Sequence, residues 1–254
     1  MIMIRGVFFW LLLFTVFINK DVRAQQSAFQ IGERIDFKVN YGMINAGHGS
    51  LSIKGTEEVG SKTTYHIVAK GKSAGFFDMF FKVRDTYQTF VDTSSLLPLK
   101  FTRDIEEGNY KVKQNVIFDQ ENKTAQSEDD TIDINPITQD LISFVYYLRS
   151  LDLSNIKKGD EVPITIYLDD ELFETYFKYV GDQKIRTKFG RVNCMTFVPK
   201  MKTGRMFDEE EDLKVWITKD RLKLPVRIKS DLMVGSIRMD ITGYENLVSE
   251  FNPK

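Results

Sequence analysis

The sequence predicts an all-β protein, mainly antiparallel. One strongly curved sheet, a barrel or half-barrel, carries one prominent helix near residues 136–151. Three observations predict this. Apolar and polar residues alternate over most of the 254-residue chain, the period of a half-buried strand. Gly, Asp and Asn punctuate the alternating runs at hairpin spacing. Only one segment after the N-terminal run shows strong helical spacing.

The N-terminus is set apart. Arg5 precedes VFFWLLLFTVFI, Val7 to Ile18. That run is shorter than the roughly 20 residues of a membrane span and fits a signal-peptide core. Val22 and Ala24 occupy the positions that matter for cleavage after Ala24, so residues 1–24 read as a signal peptide. No cysteine near that point suits a lipid anchor. Residues 25–254 then read as a single β-rich domain, exported, most simply to the periplasm, with secretion as the alternative. Cys194 is the only cysteine, so no internal disulfide forms. Its flanks, VNCMTFV, read as a strand and make it a buried small hydrophobe. The formal net charge of -1 gives no basic footprint for nucleic acid.

The strands follow in order. IDFKVNY puts Ile35, Phe37, Val39 and Tyr41 on one face and Asp36, Lys38 and Asn40 on the other. NAGHG reads as a glycine-bearing turn, after which Leu51 and Ile53 resume the alternation. Tyr110, Val112, Val116 and Phe118 share a face. So do Val162, Ile164, Ile166 and Leu168, then Phe173, Thr175, Phe177 and Tyr179, with Asp169-Asp170 as the turn between them. Val226 and Ile228, then Ile237, Met239 and Ile241, close the series. The pattern predicts roughly a dozen strands, and a sheet of that size tends to curl or close.

The helical segment is NPITQDLISFVYYLRSLDL. Asn135 suits an N-cap and Pro136 the first helical position. Leu141, Phe144, Val145, Leu148 and Leu151 form one apolar stripe, expected to plug or cover one side of the sheet. Arg149 sits where a cation favours the helix dipole.

A displaced self-match suggests two halves, about 30–134 and 158–247, with the helix between. KGKSAGFFD, Lys70 to Asp78, aligns with KMKTGRMFD, Lys200 to Asp208, and LPLKF resembles LPVRI further on. The first copy continues with Met79, Phe80 and Phe81, where the second has Glu209, Glu210 and Glu211. That divergence marks Phe76, Phe77, Met79, Phe80 and Phe81, with Lys72 and Arg84 beside them, as candidate ligand-binding residues. Pockets are mostly apolar with few polar handles, and basic groups beside Phe suit an anionic lipid head and its tail. The plain alternative is that the cluster is core.

The ordered set IDFKVNYGMINAGHGSL, the Lys-x-Lys-Ser loop, RDTYQTFVD with LPLKF, QDLISFVYYLRSLDL and KVWITKDRLKLPVRI resembles an exported bacterial family, domain of unknown function 3108. The resemblance covers most of Phe29 to Tyr244. It implies a β-rich cell-envelope protein and brings no substrate or active site with it. The expected architecture is also similar, by analogy of fold alone, to the lipoprotein-carrier half-barrels, whose concave faces hold acyl chains.

No catalytic motif emerges. His48 and His66 are the only histidines and read as solvated or satisfied. No G-x-S-x-G elbow exists, and no His or Cys spacing for zinc. The run Asp208 to Asp212 lacks the spacing of a calcium loop and reads as a solvated turn. The expectation is therefore a monomeric, non-catalytic envelope protein without cofactor or metal, binding a lipidic or amphiphilic ligand. An alternative is an assembly module docking on an envelope protein through the aromatic loop. Another is a glycan-binding or glycan-active protein using Trp216 and tyrosines.

Overall fold

The computed structural model describes residues 27–201 and 213–254. The expected signal segment and the acidic loop of the second copy lie outside the described residues. Fifteen strands form one sheet. In the first part of the chain they are β1 (Arg34–Tyr41), β2 (Ile44–Val59), β3 (Lys62–Ser73), β4 (Arg84–Asp92), β5 (Pro98–Glu107), β6 (Tyr110–Asp119), β7 (Thr124–Gln126), β8 (Thr131–Asp133) and β9 (Thr138–Gln139). The second part supplies β10 (Glu161–Leu168), β11 (Glu171–Thr187), β12 (Gly190–Met201), β13 (Leu213–Thr218), β14 (Pro225–Asp231) and β15 (Ser236–Glu245). Helix α1 (Gly75–Phe80) follows β3, and α2 (Ser143–Ser150) follows β9.

The spatial order is β8-β7-β6-β5-β4-β3-β2-β1-β15-β14-β13-β12-β11-β10-β9. Every neighbour is antiparallel except the short β9–β10 pair. Strands β1 to β6 and β10 to β15 thus cross the sheet in the same sense. The long hairpins β2–β3 and β11–β12 hold matching places, each with a register shift at a glycine, Ile53/Gly55 and Tyr179/Gly181. Such bulges bend a strand and increase its twist. The sheet rolls until side chains from its two ends meet. Phe118 of β6 stacks edge-on against Tyr167 of β10 at 5.4 Å, and Arg103 of β5 pairs with Asp169. The backbone ladder does not close, so the product is barrel-like and open.

The inward residues form the core. Ile35, Phe37, Leu51, Ile53, Ile67 and Ile241 join Trp216, Val226 and Tyr146 of α2 in one buried cluster. A second gathers around Phe177, Phe197 and Ile217 under the other side of α2. The helix is therefore packed on both sides, as a plug inside the curve.

Several local expectations are corrected. The helix begins at Ser143, and Asn135 and Pro136 do not start it. Thr138 and Gln139 instead pair with Thr165 and Ile166. Asp140 then supplies the helix start: its Oδ1 accepts from the amides of Ile142 and Ser143 at 2.8 and 2.9 Å. Arg149 does lie in the last turn of α2, where the dipole favours a cation, and it is also buried. Its Nη1 and Nη2 donate to the two carboxylate oxygens of Glu33 at 2.5 and 2.9 Å, and Nε donates to the Leu222 carbonyl. NAGHG is not a turn but part of β2. The turn lies at Gly42, with φ +56°. By contrast, Asp169 and Asp170 do form the β10–β11 turn, both at positive φ, the conformation a two-residue hairpin loop requires.

Candidate ligand-binding cavity

The cavity follows from register. Gly47 faces Val39 on one side and Ser73 on the other. Gly49 lies between Phe37 and Gly71, and Leu51 between Ile35 and Ala69. Near α1 the concave face is thus floored by small residues where the core elsewhere has Ile and Phe. The space left is about 440 Å³, walled by Val39, Tyr41, Ile237, Met239, Tyr87 and Ile142. The two central glycines differ in kind. A Cβ on Gly47 would lie 2.4 Å from the Lys72 carbonyl oxygen, so backbone approach demands glycine. A Cβ on Gly49 would meet its nearest atoms, the Lys70 carbonyl oxygen, Phe37 Cβ and Met239 Sδ, at 3.6 to 4.0 Å. There the room is simply left empty.

Helix α1 roofs this space. Phe77 and Phe81 line it. The Phe77 ring meets Tyr41 at 5.9 Å, and Phe81 lies over Gly108 so closely that a Cβ there would come within 3.0 Å of the ring. A helix of six residues has little intrinsic stability, so it needs anchors. The Ser73 hydroxyl donates to Asp78 Oδ1 at 2.5 Å and accepts from the Val83 amide at 2.8 Å. Arg84 donates to both Asp78 oxygens at 2.6 and 3.0 Å. The Arg84 and Ser73 hydrogen bonds hold the Asp78 carboxyl down at about 2. The Ser and Asp of the first-copy motif therefore serve the fold.

The expected site residues divide three ways. Phe77 and Phe81 face the cavity. Phe76, Met79 and Phe80 project outward, 65%, 81% and 71% exposed. Lys72 borders the cavity and, with Arg84, also lines a recess on the other face of the sheet, where Arg84 is committed to Asp78. Sequence reasoning missed Tyr41, Tyr87, Ile142, Ile237 and Met239, and the glycine floor. A faint signal existed: Gly47, Gly49, Ala69 and Gly71 all fall on the inward phase of alternation. The β1–β2 and β14–β15 turns bring Met43, Met233 and Val234, all strongly exposed, to the same end as α1. Tyr41 Oη donates to the Val234 carbonyl there.

Reactive groups have structural partners. Cys194 is fully buried, and desolvation pushes its thiol up to about 12. His66 sits between Glu57 and Gln88 at 2.8 Å each and stacks on Phe90. Burial raises the Asp140 carboxyl above its usual range, and its other oxygen accepts from Thr89. Burial likewise lifts Asp85 to about 6. Trp216 is buried, with Nε1 donating to Gln183, which removes it as a sugar-stacking surface. Among the described residues no three metal-ligating side chains converge. No described helix is long and apolar enough to cross a membrane.

A solved structure similar to this one is a beta-barrel-like protein of domain of unknown function DUF1849 from Brucella abortus. It has 11% identity and a TM-score of 0.55, covering 87% of this chain and 100% of that one. A chain from Bacteroides fragilis with a YmcC-like fold is similar at 10% identity and TM-score 0.37, covering 85% and 97%. None of the curated proteins compared matches the sequence. The family model described as protein of unknown function (DUF3108) matches residues 36–242.

Proposed function

The chain belongs to the DUF3108 family, which carries no assigned activity, and from that premise we propose an exported, non-catalytic cell-envelope protein that holds a lipidic or amphiphilic ligand under α1. It acts as a monomer, in the periplasm. The observation that carries the reading is the apolar cavity of about 440 Å³, within the range of small-ligand sites. Its floor is glycine and alanine, and its roof is Phe77 and Phe81. The exposed Phe76, Met79, Phe80, Met43 and Met233 at the same end support loading from an apolar source such as a bilayer surface. The matching places of the hairpins β2–β3 and β11–β12 support descent of both halves from one ancestral unit.

Native mass spectrometry of gently purified protein tests the reading, together with melting in the presence of a fluorescent fatty acid. A retained ligand or a lipid-dependent rise in melting temperature is expected. A bare protein indifferent to lipid sinks the proposal. A second reading, docking on an envelope protein, is favoured by the outward set Phe76, Met79 and Phe80. Replacing Phe76 and Phe80 by Ser separates the two, because neither lines the cavity. Lost partner capture with lipid binding retained indicates docking.

A further inference from the structure

A second recess lies on the other face of the same strands. It measures about 620 Å³, and its lining sets Arg34, Lys70, Lys72 and Arg84 beside Asp36, Asp85 and Phe37. Its basic side chains are set by register, and Lys38 of β1 continues the row outside the recess lining. Lys38 pairs with His48, His48 with Lys72, and Lys72 with Arg84. Four consecutive strands thus place basic residues directly opposite one another, at about 4.8 Å per strand. One step along, Lys70 stands between Ser50 and Thr86. Like charges opposite one another destabilise a sheet, and acids relieve only the arginines here. Arg34 is taken by Asp36 and Arg84 by Asp78. Among the described residues Lys38, Lys70 and Lys72 have no ion pair. This occurs in a chain with 35 basic and 36 acidic residues, where acids were available. Asp85 also lines the recess, and the Glu106 amide donates to it.

We propose that the recess across β1 to β4 binds a phosphate-class oxyanion, with Lys70 and Lys72 as its charge partners and Ser50, His48 and Thr86 as hydrogen-bonding neighbours. Lysine serves phosphate as a point charge, and two lysines flanked by hydroxyls answer a doubly charged group better than a single carboxylate. The site stands apart from the apolar cavity. The backbone of Gly49 and Gly71 separates them, so one survives if the other is disproved. A free phosphorylated molecule and a lipid head group share this chemistry.

The test titrates the mature protein at low ionic strength with inorganic pyrophosphate by calorimetry. In parallel it measures sedimentation with phosphatidylcholine vesicles, with and without phosphatidylglycerol. Lys70 and Lys72 are exposed, so Lys70→Gln/Lys72→Gln should fold normally, which circular dichroism checks. Saturable pyrophosphate binding, weakened roughly tenfold or more in the double variant, supports the site with a soluble ligand. Binding only to phosphatidylglycerol vesicles, lost in the same variant, supports it with a head group. No binding in either arm overturns it, as does binding that the double variant leaves unchanged.

Discussion

Gly49→Leu separates a cavity kept open for use from one left by loose packing. The glycine sits mid-strand in β2 without positive φ, and its Cβ would meet only ordinary contacts. A leucine there points into about 440 Å³ of apolar space. Burying that side chain contributes about 1.5–3 kcal/mol. Removing a glycine from a strand interior adds about 0.5–1 kcal/mol, and ordering the leucine rotamer takes back a similar amount. The net expectation is a stabilisation of about 2 kcal/mol. At about 2–4 °C per kcal/mol for a chain of this size, the melting temperature should rise by about 4–8 °C. Binding of a fluorescent fatty acid should fall at the same time. Stability gained with function lost is the signature of a site held open against packing. Calorimetry and fluorescence titration on one preparation read both quantities. A rise in melting temperature with undiminished binding would refute the placement of the ligand. A fall in melting temperature would refute the claim that the space is free.

Three further outcomes follow from the same geometry. Gly47→Ala should destabilise by about 1–3 kcal/mol, because its Cβ meets a backbone carbonyl at 2.4 Å; urea unfolding that shows no change would contradict that contact. Arg149→Met leaves Glu33 buried without its cation and should cost about 3–5 kcal/mol, whereas Glu33→Leu/Arg149→Met should recover most of it. A double variant as weak as the single would show that the pair itself is needed. Asp85 ionises at about 6 in the folded chain against about 3.9 unfolded. The folded state therefore holds the extra proton between those values, and stability falls as pH rises through that window. Asp85→Asn should flatten this slope and add about 1 kcal/mol at pH 8, read from melting curves at pH 4.5 and 8.

The sheet was readable because its signal is local. Ile35, Phe37, Val116 and Phe118 alternate within a few residues, and Asp169-Asp170 carries its own turn chemistry. The errors arose where a distant partner decides. NAGHG looks like a turn until Gly47 is seen to admit the Lys72 carbonyl from β3. Asn135-Pro136 is a sound helix start by composition, but Thr138 and Gln139 find strand partners in β10, and Asp140 starts the helix instead. Arg149 does sit at the dipole end of α2, but its pairing with Glu33, far away in sequence, could not be read locally. The candidate site was half visible for the same reason. Phenylalanines announce themselves in composition, whereas a floor of glycines appears only when three strands are set in register.

The place of β1 beside β15 has a bearing on how the chain acquires its form. Every other antiparallel pair joins strands that are consecutive in sequence, so each meander can zip up as soon as its own residues are present. Arg34 must wait for Glu245. Contacts of such long separation slow folding, and this seam lies mid-sheet rather than at an edge. Until the final strand arrives, both meanders expose an unpaired apolar strand, and α2 has no finished interior to enter. The fold is thus sealed by its last strand.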